Sequence, residues 1–338
     1  MFHFLHTHLP DPIAFTIGPI AIHWYGMLIV VAIFIGLLLT AKIGSRYGIS
    51  KDQVYDLGFW AIIFAIVGAR VYFMFLELPY FLANPLDAIK VWQGGLAIHG
   101  AIIGGLLAVY FYLFRDPRNK FDNHSLSDDG EGRGEVAEND TGHKRSRKFS
   151  IRNLTLTLSH RERVSMGNRV SIWLWLDAVA PALALGQAIG RWGNYFNQEL
   201  FGRPTNLPWG IPIAEFNRPV QFFNEQFFHP TFLYESVLNL IIFVVLIILH
   251  IRRIRARHSR AGGNPEIPDQ TRDDRQAGSI FLIYLILYSL VRIFTETLRL
   301  DETITIVGIR LPQIVSGLII LASVYLLVKK SKLTSQNN

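Results

Sequence analysis

Seven stretches of about twenty predominantly apolar residues recur along this chain of 338 residues, and they limit its fold more than any other feature. A helix needs roughly 20 apolar residues to cross the hydrocarbon core of a bilayer. The stretches cover about 20–40, 54–76, 95–114, 171–190, 231–251, 278–298 and 308–328. Hydrocarbon offers no hydrogen bonds, so a spanning backbone must satisfy its own, and a helix does this within one segment. A β-barrel would show short segments of alternating polarity, which this chain lacks. The expectation is an all-α integral membrane protein with seven transmembrane helices, built as one membrane-embedded domain over 1–338.

Residues 1–19 carry no basic n-region and include Pro10, Asp11 and Pro12, so the first stretch is expected to be a retained helix rather than a cleaved signal peptide. The chain contains no cysteine, which excludes a disulfide framework, a thiolate metal site and a cysteine nucleophile. Basic residues in loops are retained on the cytoplasmic side. Of the 33 Lys and Arg, 25 fall in 41–53, 115–170, 252–277 and the tail, which share one side of a seven-span arrangement. That places the N-terminus in the periplasm and the C-terminus, with Lys329, Lys330 and Lys332, in the cytoplasm.

Residues 115–170 and 252–277 are hydrophilic and of mixed charge, and such composition cannot bury enough apolar surface to order itself. Both are expected to be disordered cytoplasmic loops. The run Lys144-Arg145-Ser146-Arg147-Lys148 is better read as a solvated loop than as a site for nucleic acid or anionic lipid. Asp128-Asp129 and Asp273-Asp274 have no metal-site surroundings, no acidic pair lies within a span, and no metal or cofactor is expected. Residues 200–230, with Pro204, Pro208, Pro212, Pro219 and several Phe, are expected to form a periplasmic cap or an interfacial anchor.

Ionisable groups inside a membrane are costly and usually face a cavity or a partner. Assigning each span end to a face collects them at one level. Tyr25 and His23 open the first span, Arg70 and Glu77 lie in the outer half of the second, and His99 begins the third. Arg191, Asn194, Asn197 and Glu199 follow the outer end of the fourth; His229 and Glu235 open the fifth; Arg292, Glu296 and Arg299 close the sixth. Singly, each has a structural explanation: Arg70 paired with Glu77, His99 on a helix carbonyl, Arg292 paired with Glu296 one turn away. Collectively they suggest a polar cavity near the outer leaflet that holds an anion. Arg292, Glu296 and Arg299 have the spacing of one helical face. Arginine suits a phosphate because its planar fork donates two hydrogen bonds and keeps its charge. Gly94, Gly95, Gly100, Gly104 and Gly105 allow close approach, equally by a ligand or by a neighbouring helix.

Residues Gly190 to Gly202 fit the pattern Gly-Arg-x-Gly-Asn-x-x-Asn-x-Glu-x-x-Gly, and in this the chain resembles the prolipoprotein diacylglyceryl transferase family. His23-Trp24-Tyr25-Gly26, Gly68-Ala69-Arg70, the run from Gly94 to Gly100, His229-Pro230 with Leu233-Tyr234-Glu235, and Arg292 with Glu296 and Arg299 resemble further family elements in order. The likeness spans all seven stretches and omits most of 115–170 and 252–277. Ala101 stands where the family commonly has a second glycine.

The resemblance implies transfer of the diacylglyceryl group of phosphatidylglycerol to the lipobox cysteine of a prolipoprotein signal peptide, with release of glycerol phosphate, in the bacterial inner membrane. It assigns Arg191 and Arg292 to the phosphate, and His99 to taking the thiol proton or orienting the thiol, with Glu235 and Tyr25 as alternatives for that role. Asn194 is expected to touch the lipid, Asn197 to support the site, and Glu199, Gly202, Glu296, Arg299, Gly100 and Gly104 to complete the phosphatidylglycerol site. Partners are phosphatidylglycerol, prolipoproteins and membrane lipids, without nucleic acid. The rival class is a multi-pass transporter of an anionic solute, although no internal repeat is visible and the polar groups lie off the midplane.

Overall fold

The computed structural model describes residues 2–18, 20–91, 94–112, 170–260, 276–301 and 303–335. The hydrophilic loop expected over 115–170, with its acidic pair and basic run, lies outside the described residues except for Val170, and so does the middle of the second loop, 261–275. Contacts divide the chain into two compact units, Met1–Asp56 with Val170–Asn338, and Leu57–Arg169.

In the first unit, α1 (Phe2–Thr7) leads to an antiparallel hairpin, β1 (Ile13–Ile17) with β2 (Ile20–His23), and then to α2 (Trp24–Gly44). Helix α3 (Lys51–Leu76) begins there and enters the second unit, which continues with α4 (Leu78–Ala83) and α5 (Ile98–Tyr110). The first unit resumes with α6 (Ile172–Phe196), the paired strands β3 (Ile211–Pro212) and β4 (Phe227–Phe228), α7 (Thr231–Arg260), α8 (Ser279–Glu296), the hairpin β5 (Thr305–Ile306) with β6 (Ile309–Arg310), and α9 (Leu311–Ser335).

Among the described residues, six helical segments are long and apolar enough to cross a membrane: Trp24–Tyr47, Lys51–Leu76, Ile172–Phe196, Thr231–Ala256, Ser279–Glu296 and Leu311–Lys332. They coincide with six of the seven expected stretches. The other, 95–114, contains α5 with 13 residues. Gly94 and Gly95 have φ of 86° and 69°, a left-handed conformation that a helix cannot include, so α5 starts only at Ile98. Helix α7 runs on to Arg260 instead of stopping near 251, because Ala256 and the arginines are good helix formers that need no apolar surroundings.

The first unit is a bundle centred on α6, which packs against α2, α7 and α8, while α8 also packs against α7 and α9. The buried face of α6 carries Ala178, Ala180, Ala182, Ala184 and Ala188. Lipid gives apolar helices no reason to prefer one another, so small side chains that permit close contact drive the association. Large apolar residues such as Val30, Phe34, Leu318 and Leu321 point outward, as lipid-facing positions should.

One end of the bundle is fastened by Asp177, which is fully buried. Its carboxylate accepts from Arg253 Nη1 at 2.7 Å and caps α8 by accepting from the backbone N–H of Gly278 at 2.8 Å and of Phe281 at 2.9 Å. The Asp177 carbonyl accepts from His250 Nε2 at 3.0 Å, and the Tyr47 hydroxyl meets His250 Nδ1 at 2.6 Å. Three helices thus meet on Asp177, and the turn after α2 joins them through His250, far along the bundle from the arginines described below.

In the second unit α3 and α5 cross through glycine. A Cβ at Gly68 or Gly100 would overlap the other's carbonyl, and one at Gly104 would overlap the carbonyl of Phe64. Arg70 donates to the carbonyls of Ala88 at 2.9 Å, Gly94 at 2.7 Å and Gly95 at 3.1 Å, and also to those of Asp87 and Lys90. Its role is therefore structural, as one expectation had it, but backbone carbonyls of 87–95 take the place of Glu77.

Replacing Asp177 by Ala strips Arg253 of a carboxylate and uncaps α8. Removing one partner of a buried ion pair costs about 3–5 kcal/mol, so Asp177→Ala should unfold at distinctly lower temperature in detergent. Unchanged thermal unfolding would remove this fastening from the account.

Candidate active site

The end of α6 decides where the site lies. Asn197 closes the helix, its N–H donating to the Gly193 carbonyl at 3.0 Å, and Gln198 and Leu200 then take positive φ of 52° and 56°. This left-handed turn is held by the buried Gln198 side chain, which donates to the Pro10 carbonyl at 2.8 Å and accepts from the Ala214 N–H at 2.7 Å. The reversal returns Glu199 to α6, where it accepts from Asn194 Nδ2 at 2.7 Å. Asn194 Oδ1 in turn accepts from Arg191 at 3.3 Å. The signature is thus a helix end that folds back on itself to support one arginine.

Across from that arginine, Glu235 in the first turns of α7 is 2% exposed and collects three guanidiniums. Arg191 Nε lies 2.6 Å from Oε2, while Arg292 Nη1 and Arg299 Nε lie 3.6 and 3.4 Å from Oε1. A second carboxylate, Glu296 at the end of α8, is fully buried; Arg292 Nη2 is 2.8 Å from one oxygen and Arg310 Nε 3.1 Å from the other. Four guanidiniums therefore converge on two buried carboxylates. Asp301, 3.9 Å from both Arg299 and Arg310, and the exposed Glu199 lie at the rim.

Such an arrangement is expensive unless its charges are satisfied, because each ion loses hydration on burial. Here satisfaction is incomplete. Arg292 Nη1 and Arg299 Nε are buried and make no hydrogen bond, the Glu235 oxygen near them being too far or badly aligned. Glu235 Oε1 and both oxygens of Glu296 are likewise buried without a hydrogen bond, so the charges here are held by ion-pair contact, with four guanidiniums set against two buried carboxylates. Burial lowers the pKa of Arg299, with Glu235 acting in the opposite direction.

Tyr25 lies at the start of α2, and its ring fills the space where Gly193 has no side chain. Gly202 is buried between Leu298 and His229: its N–H donates to the His229 carbonyl at 2.9 Å, and it bridges to Arg299. His229 Nδ1 meets the Tyr234 hydroxyl at 3.1 Å, which accepts from Trp209 Nε1 at 3.0 Å; burial lowers the pKa of His229. Residues 200–230 pack with this end of the bundle through a core of Leu5, Tyr195, Ile211, Ile213, Phe228 and Phe232.

The structure therefore brings together Tyr25, Arg191, Asn194, Glu199, Gly202, Glu235, Arg292, Glu296 and Arg299, with Asn197 as the half-buried cap of α6. His99, Gly100 and Gly104 belong to the second unit. There His99 is exposed in the first turn of α5, its ring 5.7 Å from that of Tyr72, and both glycines face the α3 backbone. One expectation changes: Arg299 does not share a helical face with Arg292 and Glu296. Helix α8 ends at Glu296, Thr297 and Leu298 bond three residues back, and Arg299 reaches Glu235 from the following turn.

Arg310 was not among the sequence candidates, although it was legible as a lone arginine opening the last span. It stands at the foot of the β5–β6 hairpin, whose turn residues Val307 and Gly308 have φ of 53° and 77°.

A bundle of six helices long and apolar enough to span a membrane, with a buried arginine cluster at one end, defines a multi-pass membrane protein. The family model of prolipoprotein diacylglyceryl transferase matches residues 12–126 and 154–329, and the chain belongs to that family. A Synechocystis sp. protein named phosphatidylglycerol--prolipoprotein diacylglyceryl transferase is 37% identical over 312 residues, 92% of this chain and 86% of that protein. Proteins of the same name from Nostoc sp. and Acaryochloris marina are 36% and 34% identical, covering 91% and 97% of this chain and 84% and 95% of their own lengths.

Glu235→Ala would leave three guanidiniums facing one another, and loss of one member of a buried charge set costs about 3–5 kcal/mol. Chemical unfolding in detergent should show that loss, and added inorganic phosphate should raise the stability of Glu235→Ala more than that of the parent. Equal response to phosphate would argue against an anion site here.

Proposed function

We propose that the chain transfers the diacylglyceryl group of phosphatidylglycerol to the lipobox cysteine of prolipoproteins. The observation that carries this is the convergence of Arg191, Arg292, Arg299 and Arg310 on only two buried carboxylates, Glu235 and Glu296. Family membership and the names of the relatives supply the substrates.

In the reaction the cysteine sulfur attacks the glyceryl carbon that bears the phosphate. A carbon–sulfur bond forms, the carbon–oxygen bond breaks, and its electron pair leaves on the phosphate oxygen as glycerol phosphate. A free thiol has a pKa of about 8.5, so its proton must go to a base. His99 takes or directs that proton, since imidazole works near neutral pH; Tyr25, set against Gly193 at the helix end that carries Arg191, is the alternative. Glu235 has both oxygens engaged by guanidiniums, which suits organising charge better than moving a proton.

Arg191 and Arg292 receive the charge that grows on the leaving phosphate. Donors already aimed at developing charge in a water-poor site need no reorganisation as the bond breaks. Glu235 and Glu296 hold the arginines apart, Asn194 contacts the headgroup, and Asn197, Glu199 and Gly202 fix the turn behind it. Arg299 completes the phosphate site, and Gly100 and Gly104 let α5 lie against α3 so that His99 is presented on a rigid helix.

The protein sits in the bacterial inner membrane with seven spans, α5 beginning the third. The N-terminus and the arginine end of the bundle face the periplasm, the C-terminus and the two hydrophilic loops the cytoplasm, and residues 200–230 cover the site. A secreted prolipoprotein presents its lipobox at that level, while the donor lipid enters sideways from the outer leaflet.

The test is incubation of the purified protein in detergent with phosphatidylglycerol and a lipobox peptide, followed by mass spectrometry of the peptide. A diacylglyceryl adduct on the cysteine and release of glycerol phosphate are expected, and Arg191→Ala and Arg292→Ala should each abolish them without impairing membrane insertion. No adduct with folded, lipid-loaded protein would defeat the proposal.

A further inference from the structure

We infer that Arg310 is a positioning residue of the phosphate site, which sets Arg292 through Glu296 and Arg299 through its main chain. The inference rests on the function proposed above and adds a residue to it.

Arg310 does not offer its guanidinium to a ligand. Nε donates to Thr303 Oγ1 at 2.8 Å and lies 3.1 Å from Glu296 Oε1. Nη1 donates to the carbonyls of Glu296 and Arg299, each at 2.9 Å, and Nη2 donates to the carbonyl of Asp301. One rigid fork thus grips both the carboxylate and the carbonyl of Glu296, together with the two residues on the turn that matter most to the site. Lysine, a point charge without a fork, could form the ion pair but not the whole set.

The consequence passes through Glu296. Its second oxygen holds Arg292 Nη2 at 2.8 Å, so the direction of the Arg292 fork depends on where Glu296 stands. Helix α8 stops at Glu296, and the carbonyls freed by that stop are among those Arg310 occupies. With the end of α8 and the turn anchored, Arg292 and Arg299 are held in fixed places beside Glu235, Nη1 and Nε lying 3.6 and 3.4 Å from its Oε1, and fixed placement is what a preorganised phosphate site requires. Arg310 is itself placed by the β5–β6 hairpin, whose last residue it is.

Displacement of a catalytic group by about 1 Å can cost around a hundredfold, so Arg310→Ala should lower kcat for diacylglyceryl transfer about tenfold to a hundredfold, with a smaller change in KM for phosphatidylglycerol. Methylguanidinium added to Arg310→Ala should restore part of the rate, and the losses in Arg310→Ala and Glu296→Gln should not add in the double variant. Affinity for glycerol phosphate, measured by titration calorimetry on the purified protein, should weaken about tenfold in Arg310→Ala because two donors are no longer aimed. Kinetics and affinity within about twofold of the parent would overturn the inference, as would losses that add and that methylguanidinium leaves untouched. Should Arg310→Ala fail to fold, Arg310→Lys takes its place in the cycle, and additivity there has the same force. If the parent chain transfers nothing, the proposed function fails, while the glycerol phosphate titration still decides whether Arg310 aims the site.

Discussion

Glu235 and the three guanidiniums around it are the interaction on which the rest of the structure depends. A carboxylate that is 2% exposed, with Arg191 at 2.6 Å, would be a liability in an apolar bundle if it stood alone. It is tolerated because α6, α8 and the turn after α8 each deliver a guanidinium to the same point. Their convergence also settles how these elements must end. Helix α6 closes at Asn197 and folds back, α8 stops at Glu296, and the chain enters α9 through a hairpin carrying Arg310. The irregular backbone is concentrated where charge must be placed.

The two ends of the bundle use buried charge differently. Around Asp177 the carboxylate is balanced by one arginine and two backbone N–H groups. Here one guanidinium faces one carboxylate, the balance of a structural fastening. Around Glu235 and Glu296 four arginines outnumber two buried acids. The two ends thus differ in their balance of buried charge. The uncharged members, Asn194, Gly193 and Gly202, matter as well: they shape the turn and leave room for Tyr25 and His229 beside the arginines.

Six helices were legible because twenty apolar residues in a row have few other uses. Arg191, Asn194 and Glu199 were legible as a cluster because they are close in sequence and polar at a helix end. Arg310 escaped notice because its partners, Glu296 and the carbonyls of Arg299 and Asp301, meet it only after a hairpin reverses the chain. Asp177 escaped for a similar reason, its partners lying on α7 and α8. Arg299 was found but placed on the wrong kind of backbone, since helical spacing says nothing about where a helix stops. Arg70 shows the opposite case: a buried arginine in a family motif whose donors are consumed by the carbonyls of 87–95.

The central claim is that the arginine end of the bundle holds a lipid phosphate. The most direct measurement is an electron cryomicroscopy structure of the protein with phosphatidylglycerol in a nanodisc. The account expects phosphate density within about 3 Å of guanidinium nitrogens of Arg191 and Arg292, the span of an ordinary charge-assisted hydrogen bond. A headgroup bound elsewhere, with Arg191 and Arg292 contacting only Glu235 and Glu296, would contradict it.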